Sequence, residues 1–262
     1  MLAERYDALL LDLDGVLFRG AETVPGGPET LAILRADGHH IAFVTNNSAR
    51  TPEQVAEKLA GHGYEAHPDE VVTSALATAD LLRERGAAEA YVVGEEGIRR
   101  ALADAGVRVL DGEPAAAPYV VVGWDREATY AKLRTASLLV ERGATLVATN
   151  ADPSYPAQDG FWPGAGALLA AITTTTGAEP EIVGKPHAPL YLAALRRVGG
   201  DRPIVVGDRL ETDIAGAVAL GWDSLLVLSG ATSAEAAGAS PIRPTYVGPD
   251  VRALVTDPPD QT

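Results

Sequence analysis

The chain has 262 residues, 47% of them hydrophobic, which is ample for a packed core in one large domain or two modest ones. Its 36 acidic against 21 basic residues give a formal net charge of −15. That charge opposes nonspecific binding to nucleic acid or to an anionic membrane, so an anionic ligand needs a local site. With no cysteine, a disulfide framework, a thiolate zinc site and a thiol nucleophile are all excluded.

The N-terminus has neither the basic start nor the small-residue cleavage site of a signal peptide, and the longest apolar stretches are strand-sized. The expectation is a soluble, cytoplasmic globular protein. In chain order, LLLDLDGVLF (9–18) is an apolar strand that ends on Asp12 and Asp14. Residues 26–38 have helical spacing closed by glycine, and 40–48 form a second apolar strand running into polar residues. Thr51 to Gln54 read as a capping box with proline at the first helical position, and VVTS (71–74) as a short strand. The alternation continues with strands AYVVG (90–94), PYVVVG (118–123), ATLVATN (144–150), EIVGKP (181–186), PIVVGD (203–208) and SLLVLSG (224–230). Helical patterns separate most of them, and TTTT (173–176) reads as a helix end. Strands that are apolar throughout and alternate with helices predict parallel sheets covered on both faces. Seven or more such units exceed one tidy sheet, so two α/β layers are expected.

In a parallel α/β sheet, ligands bind outside the carboxyl ends of the strands. Collected there are Asp12 and Asp14 from the first strand, Thr45, Asn46 and Asn47 from the second, Lys185 from EIVGKP, and Asp208 from PIVVGD. Asp213 follows at the start of a helix. Crowded carboxylates raise one another's pKa unless a cation neutralises them. Magnesium suits oxygen ligands and bridges carboxylates to phosphate oxygens. One aspartate can then attack phosphorus while the other handles protons, and Lys185 and Thr45 counter the charge on the phosphoryl group. A lone DxDG turn is most often just a polar exit from a strand, and Asp213 could be a simple helix cap. The ordered set of strand ends is what singles these residues out.

The order DLDGV, TNNS, GKP and GDRLETD resembles the four motifs of the haloacid dehalogenase superfamily. TSALATA (73–79), TNAD (149–152) and GFWPGAGAL (160–168) resemble its NagD-like, type IIA branch, which includes p-nitrophenyl and phosphoglycolate phosphatases. The resemblance implies a Rossmann-like doubly wound core over 1–79 and 184–262, with an inserted α/β cap over 80–183 that selects the substrate. AYVVG, PYVVVG and ATLVATN then belong to the cap and the other major strands to the core. Asp12 matches the nucleophile and metal ligand; Asp14 matches the general acid and base, with its backbone carbonyl on the metal. Thr45, the Asn46 amide and Lys185 match the phosphate-binding set. Asp208 matches the remaining metal carboxylate, and Asp213 a group that orients a metal-bound water or Lys185. The cap stretch places Asn150, Phe161 and Trp162 toward the substrate. One departure is TNAD where relatives often carry TNPD.

The implied activity is magnesium-dependent hydrolysis of a small phosphorylated metabolite through an aspartyl phosphate. A phosphotransferase or phosphomutase would use the same intermediate, and a noncatalytic phosphometabolite-binding protein would use the same pocket. A receiver-like signalling domain would carry its phosphoacceptor on a later strand in a chain about one typical domain long. Haloalkanoate dehalogenation needs no metal, and the resembling enzymes lack the second aspartate. Assembly into homo-oligomers is left open.

Overall fold

The structure is a computed structural model that describes residues 1–157 and 159–256. The chain divides into two compact units. The first comprises Met1–Thr45, Pro52–Val72 and the chain from Lys185 onward; the second comprises Asn46–Thr51 and Thr73–Gly184.

The chain begins β1 (Ala8–Leu11), a short hairpin β2 (Phe18–Arg19) and β3 (Glu22–Thr23), α1 (Gly27–Ala36), β4 (His40–Thr45), α2 (Pro52–Gly61) and β5 (Val71–Thr73). It continues through α3 (Ser74–Glu84), β6 (Glu89–Val93), α4 (Glu96–Asp104), β7 (Arg108–Leu110), β8 (Tyr119–Val122), α5 (Tyr130–Glu141) and β9 (Thr145–Ala148). A second hairpin, β10 (Ser154–Ala157) and β11 (Gly160–Pro163), leads to α6 (Ala165–Thr176) and β12 (Glu181–Ile182). The remainder is α7 (Ala188–Val198), β13 (Pro203–Gly207), a π-helical turn Leu210–Ile214, α8 (Ala215–Leu220), β14 (Asp223–Val227), α9 (Ala234–Ala239) and β15 (Tyr246–Gly248).

The first unit is built on a six-stranded sheet ordered β15-β14-β13-β1-β4-β5. All four residues of β1 are buried, as a central strand covered on both faces requires. It runs parallel to β13 on one side, pairing Leu9 with Ile204, and parallel to β4 on the other, pairing Leu9 with Ile41. Leu9, Leu11, Phe43, Ile204, Val206 and Leu225 form the centre of its core. From β1 the chain winds outward through β4 and β5, then returns to the other side through β13, β14 and β15. The strand order therefore reverses between β1 and β13, and that crevice is where this class of sheet binds ligands.

The second unit has a five-stranded parallel sheet ordered β12-β9-β8-β6-β7. Val93, Val120, Val122, Leu146, Leu169 and Ile172 lie in its core. Helix entry is set by threonine caps: Thr73 accepts from the Leu76 amide before α3, and Thr129 from the Lys132 amide before α5. Its own switch point, between β6 and β8, is filled by the segment 46–51. There the Gly97 amide donates to the Ala49 carbonyl at 2.9 Å. The Trp124 amide and the Thr149 hydroxyl both donate to Ser48 Oγ, at 3.3 and 3.0 Å.

One strand assignment changes. Glu181 and Ile182 of EIVGKP do not join the first sheet; they pair with Val147 and Ala148 at the edge of the second. Ile182 packs against the second unit's core, which explains the choice of sheet. Lys185 is consequently delivered by the loop that re-enters the first unit. The strands β7 and β15 and both hairpins escape a reading based on long apolar runs, because each is two to four residues long. The TTTT run does end α6, with Gly177 closing it in the left-handed conformation.

Candidate active site

Asp12 directly follows β1, and its amide donates to the Val206 carbonyl at 2.9 Å, so its backbone is still held by β13. Asp208 directly follows β13. The two strands flanking the switch point thus each end on an aspartate. Lys185 Nζ donates to Asp12 Oδ1 at 2.5 Å and to Asp213 Oδ1 at 2.8 Å. Lys185 and Asp213 are almost wholly enclosed, whereas Asp12 keeps 17% of its side chain exposed, which leaves the nucleophile candidate reachable. Asp213 Oδ2 also accepts from the Arg209 amide at 3.2 Å, so both of its oxygens are engaged. Tyr191, fully buried behind the π-helical turn, donates its hydroxyl toward the carbonyls of Thr212 and Asp213 at 3.1 and 3.3 Å.

Asp208 is packed between two glycines. A Cβ on Gly15 would lie 2.2 Å from Asp208 Oδ2, and one on Gly230 would lie 2.0 Å from the same atom. Gly15 also has a φ of +86°, so the turn carrying Asp14 needs glycine twice over. Asp208 Oδ2 accepts from the Ala231 amide at 2.6 Å, while Oδ1 is buried with no hydrogen-bond partner among the described residues. A buried, unpaired carboxylate oxygen is costly unless something electropositive meets it. One carboxylate oxygen each from Asp12, Asp208 and Asp213 lie within 4.8 Å of one another. An all-oxygen donor set with an orphaned oxygen fits a hard divalent cation such as magnesium.

The electrostatics agree. Burial pushes the Asp12 carboxyl up to about 8, aided by Asp213 and Asp208 and opposed by Lys185. Burial, then Asp213, raises Asp208 to about 6 against the pull of the Ala231 amide. Burial of Lys185 alone would lower its pKa, but Asp12 and Asp213 outweigh that and hold the ammonium charged. Asp14 is displaced upward by the protein around it, with Lys58, His62, Arg209 and Lys185 pulling the other way. Because 67% of its side chain is exposed, solvent weakens all of these influences.

These shifts fix the sign of a pH effect. Both Asp12 and Asp208 titrate above the unfolded value of about 4. Without metal, these two carboxyls therefore hold more protons in the fold than in the unfolded chain from about pH 4 to 8, and their contribution to stability falls as pH rises through that window. Magnesium competes with those protons. The gain in melting temperature on adding magnesium should be larger at about pH 8.5 than at about pH 5.5. Equal gains would mean that Asp12 and Asp208 are not where the metal binds.

Of the phosphate-binding candidates, Thr45 ends β4 in the first unit and is buried. Asn46, next in the chain, belongs to the second unit. Its carbonyl accepts from Ser74 Oγ and from Asn150 Nδ2, both at 2.7 Å, and its own amide group donates to Asp152 Oδ2 at 3.2 Å. Asn150 is 4% exposed and also accepts from the Asp152 amide, so its polar atoms serve the local loop. Phe161 and Trp162 lie on β11 and are 81% and 39% exposed. Their hairpin is braced by a residue the sequence reading passed over. Trp124 stacks on Tyr155 of β10 with ring centroids 4.2 Å apart and donates its indole N–H to the Pro163 carbonyl at 3.0 Å. An isolated tryptophan after a strand, followed by the charged run Asp125-Arg126-Glu127, was the available signal.

The family described as haloacid dehalogenase-like hydrolase matches residues 9–108, and a second family of the same kind matches 182–254. The acid sugar phosphatase of Staphylococcus aureus is 38% identical over 257 residues, covering 97% of this chain and 98% of its own. The chain belongs to the haloacid dehalogenase-like hydrolases, in the NagD-like type IIA branch. Among solved members, the glycerol phosphate phosphatase of Mycobacterium tuberculosis in complex with magnesium superposes with a TM-score of 0.91 at 39% identity, over 97% of this chain and 77% of the other. NagD from Escherichia coli gives 0.88 at 34% identity, over 96% and 98%. Family members thus share the fold across nearly the whole chain, including both sheets. No helix among the described residues is long and apolar enough to cross a membrane.

Proposed function

We propose that this hydrolase is a magnesium-dependent phosphomonoesterase acting on small phosphorylated metabolites, with phosphorylated sugars and glycerol phosphate as its first candidates. The observation that carries the reading is the pairing of Asp12 and Asp208 across the switch point, with Lys185 joining Asp12 to Asp213. The printed activities of the Staphylococcus and Mycobacterium relatives support it. Phosphorylated intermediates are made and kept in the cytoplasm, which is the compartment this reading implies.

Asp12 attacks phosphorus, forming a bond from its carboxylate oxygen as the bond to the alcohol oxygen breaks. Asp14 gives the departing oxygen a proton. A water then attacks the aspartyl phosphate while Asp14 takes its proton, releasing inorganic phosphate and restoring the Asp12 carboxylate and the protonated Asp14. Lys185, Thr45 and the Asn46 amide hold the phosphoryl oxygens. Asp12, Asp208 and the Asp14 carbonyl would hold magnesium, which supplies charge neutralisation for the carboxylates and the phosphoryl group. Asp213, with both oxygens occupied, orients Lys185. The cap, with ends read at residues 80 and 183, is the larger part of the second unit. Phe161 and Trp162 meet the leaving group, on the strength of two large apolar surfaces held in solvent by a braced hairpin. Asn150 fixes the Asn46 peptide.

The test is inorganic phosphate release from a panel of glycerol, sugar, nucleoside, glycolate and pyridoxal phosphates, with magnesium and with a chelator. Turnover that persists in chelator would sink the mechanism. Repeating the panel with Trp162→Ala should reorder kcat/KM, with losses of about 1 to 3 kcal/mol confined to substrates that use the ring. A uniform change would mark Trp162 as a structural residue.

A further inference from the structure

We propose that Lys58 is a positioning residue for Asp14, holding its carboxylate where it can exchange a proton with the leaving oxygen. The inference rests on Asp14 being the proton carrier of the preceding subsection. A general acid works only within hydrogen-bond reach of its target, yet 67% of the Asp14 side chain is exposed on a turn. Among the cations acting on it, which include Arg209 and Lys185, is Lys58, whose Nζ lies 3.9 Å from Asp14 Oδ1, close enough for an ion pair and too far for a hydrogen bond.

Lys58 is itself held in place. Its ammonium sits 3.8 Å from the centroid of the Phe18 ring, and Phe18 is fully buried. Phe18 belongs to the same turn as the acid: its carbonyl accepts from the Gly15 amide at 2.7 Å, and Asp14 and Phe18 form an isolated β-bridge. The distance from Lys58 to Asp14 is therefore set by one short backbone loop. His62, four residues beyond Lys58, stacks on the same ring at 4.5 Å with an interplanar angle of 10°. Thr23, the cross-strand partner of Phe18, meets His62 through a 3.0 Å contact to Nδ1 and donates to its carbonyl at 3.2 Å. Hairpin, helix and turn thus close on one ring, and the cation on that ring faces Asp14. Lys58, Phe18, His62 and Thr23 all lie outside the phosphate- and metal-binding set proposed above.

The consequence is a dependence on the leaving group. An alkoxide cannot depart without a proton, whereas p-nitrophenolate can. The ratio kcat/KM reports events up to cleavage of the ester, so it isolates the step in which Asp14 gives its proton. For wild type, Lys58→Met and Lys58→Arg, kcat/KM would be measured at saturating magnesium on a series of phosphomonoesters graded by leaving-group basicity, from p-nitrophenyl phosphate to glycerol phosphate. Lys58→Met should lose about 10- to 100-fold on alkyl esters and far less on p-nitrophenyl phosphate, so that its activity falls more steeply with leaving-group basicity. Lys58→Arg, which keeps a cation on the ring, should recover most of the alkyl activity. An equal loss along the whole series, no loss at all, or failure of arginine to rescue would overturn the assignment. Melting temperatures check folding, which a side chain 31% exposed should tolerate losing. A wild-type protein inactive on the entire series would overturn the phosphatase reading itself. An active wild type in which Asp14→Asn leaves the leaving-group dependence unchanged would overturn Asp14 as the acid.

Discussion

Asp12→Asn should reduce phosphate release on the order of 10⁵- to 10⁶-fold, the scale of losing a covalent nucleophile. It should also remove any hydroxylamine-sensitive phosphoenzyme. The amide is nearly isosteric, so the loss reports chemistry more than packing. Asp14→Asn should behave differently: a general acid and base contributes about 10² to 10⁴, and the nucleophile stays in place. Rapid quenching with a good leaving group should therefore still trap phosphoenzyme in Asp14→Asn. Trapping it in Asp12→Asn would show that another residue attacks phosphorus.

The second large effect concerns Lys185. Its ammonium is enclosed and bridges two carboxylates, so Lys185→Met leaves Asp12 and Asp213 facing each other without a counter-charge. Breaking a buried ion pair from one side costs about 3 to 5 kcal/mol. Asp12 can relieve part of that by keeping its proton. Its folded-state pKa, already pushed up to about 8, then rises further, so the deficit should grow as pH rises from about 7 to 9. Denaturant unfolding of wild type and variant at both ends of that range measures it. A pH-independent difference would mean that the loss comes from packing of the lysine stem.

Much of this was legible in the chain itself. Residues that end buried parallel strands can only point at one sheet edge, so Asp12, Thr45 and Asp208 were placed by the strand pattern alone. The alternation of strands and helices likewise required two sheets. Asp213 was harder, because its turn into α8 also reads as a simple cap; only the shared contact with Lys185 separates the two roles. The edge strand β12 was misassigned because two residues carry no periodicity and its sheet is chosen by packing of Ile182. Lys58, His62 and Thr23 were invisible for a different reason: each is an ordinary polar residue in its own element, and only folding brings them to the Phe18 ring.

The segment 46–51, which fills the switch point of the five-stranded sheet, bears on how this protein can be taken apart. Any graft of residues 73–184 onto another scaffold would leave that segment behind. The Gly97 amide, the Trp124 amide and the Thr149 hydroxyl would each lose an acceptor, at about 1 to 3 kcal/mol for every one left dry. The cap is thus not a portable cassette. Its closing piece is encoded more than twenty residues upstream, directly after Thr45, so a transplantable version must carry the 46–51 stretch with it.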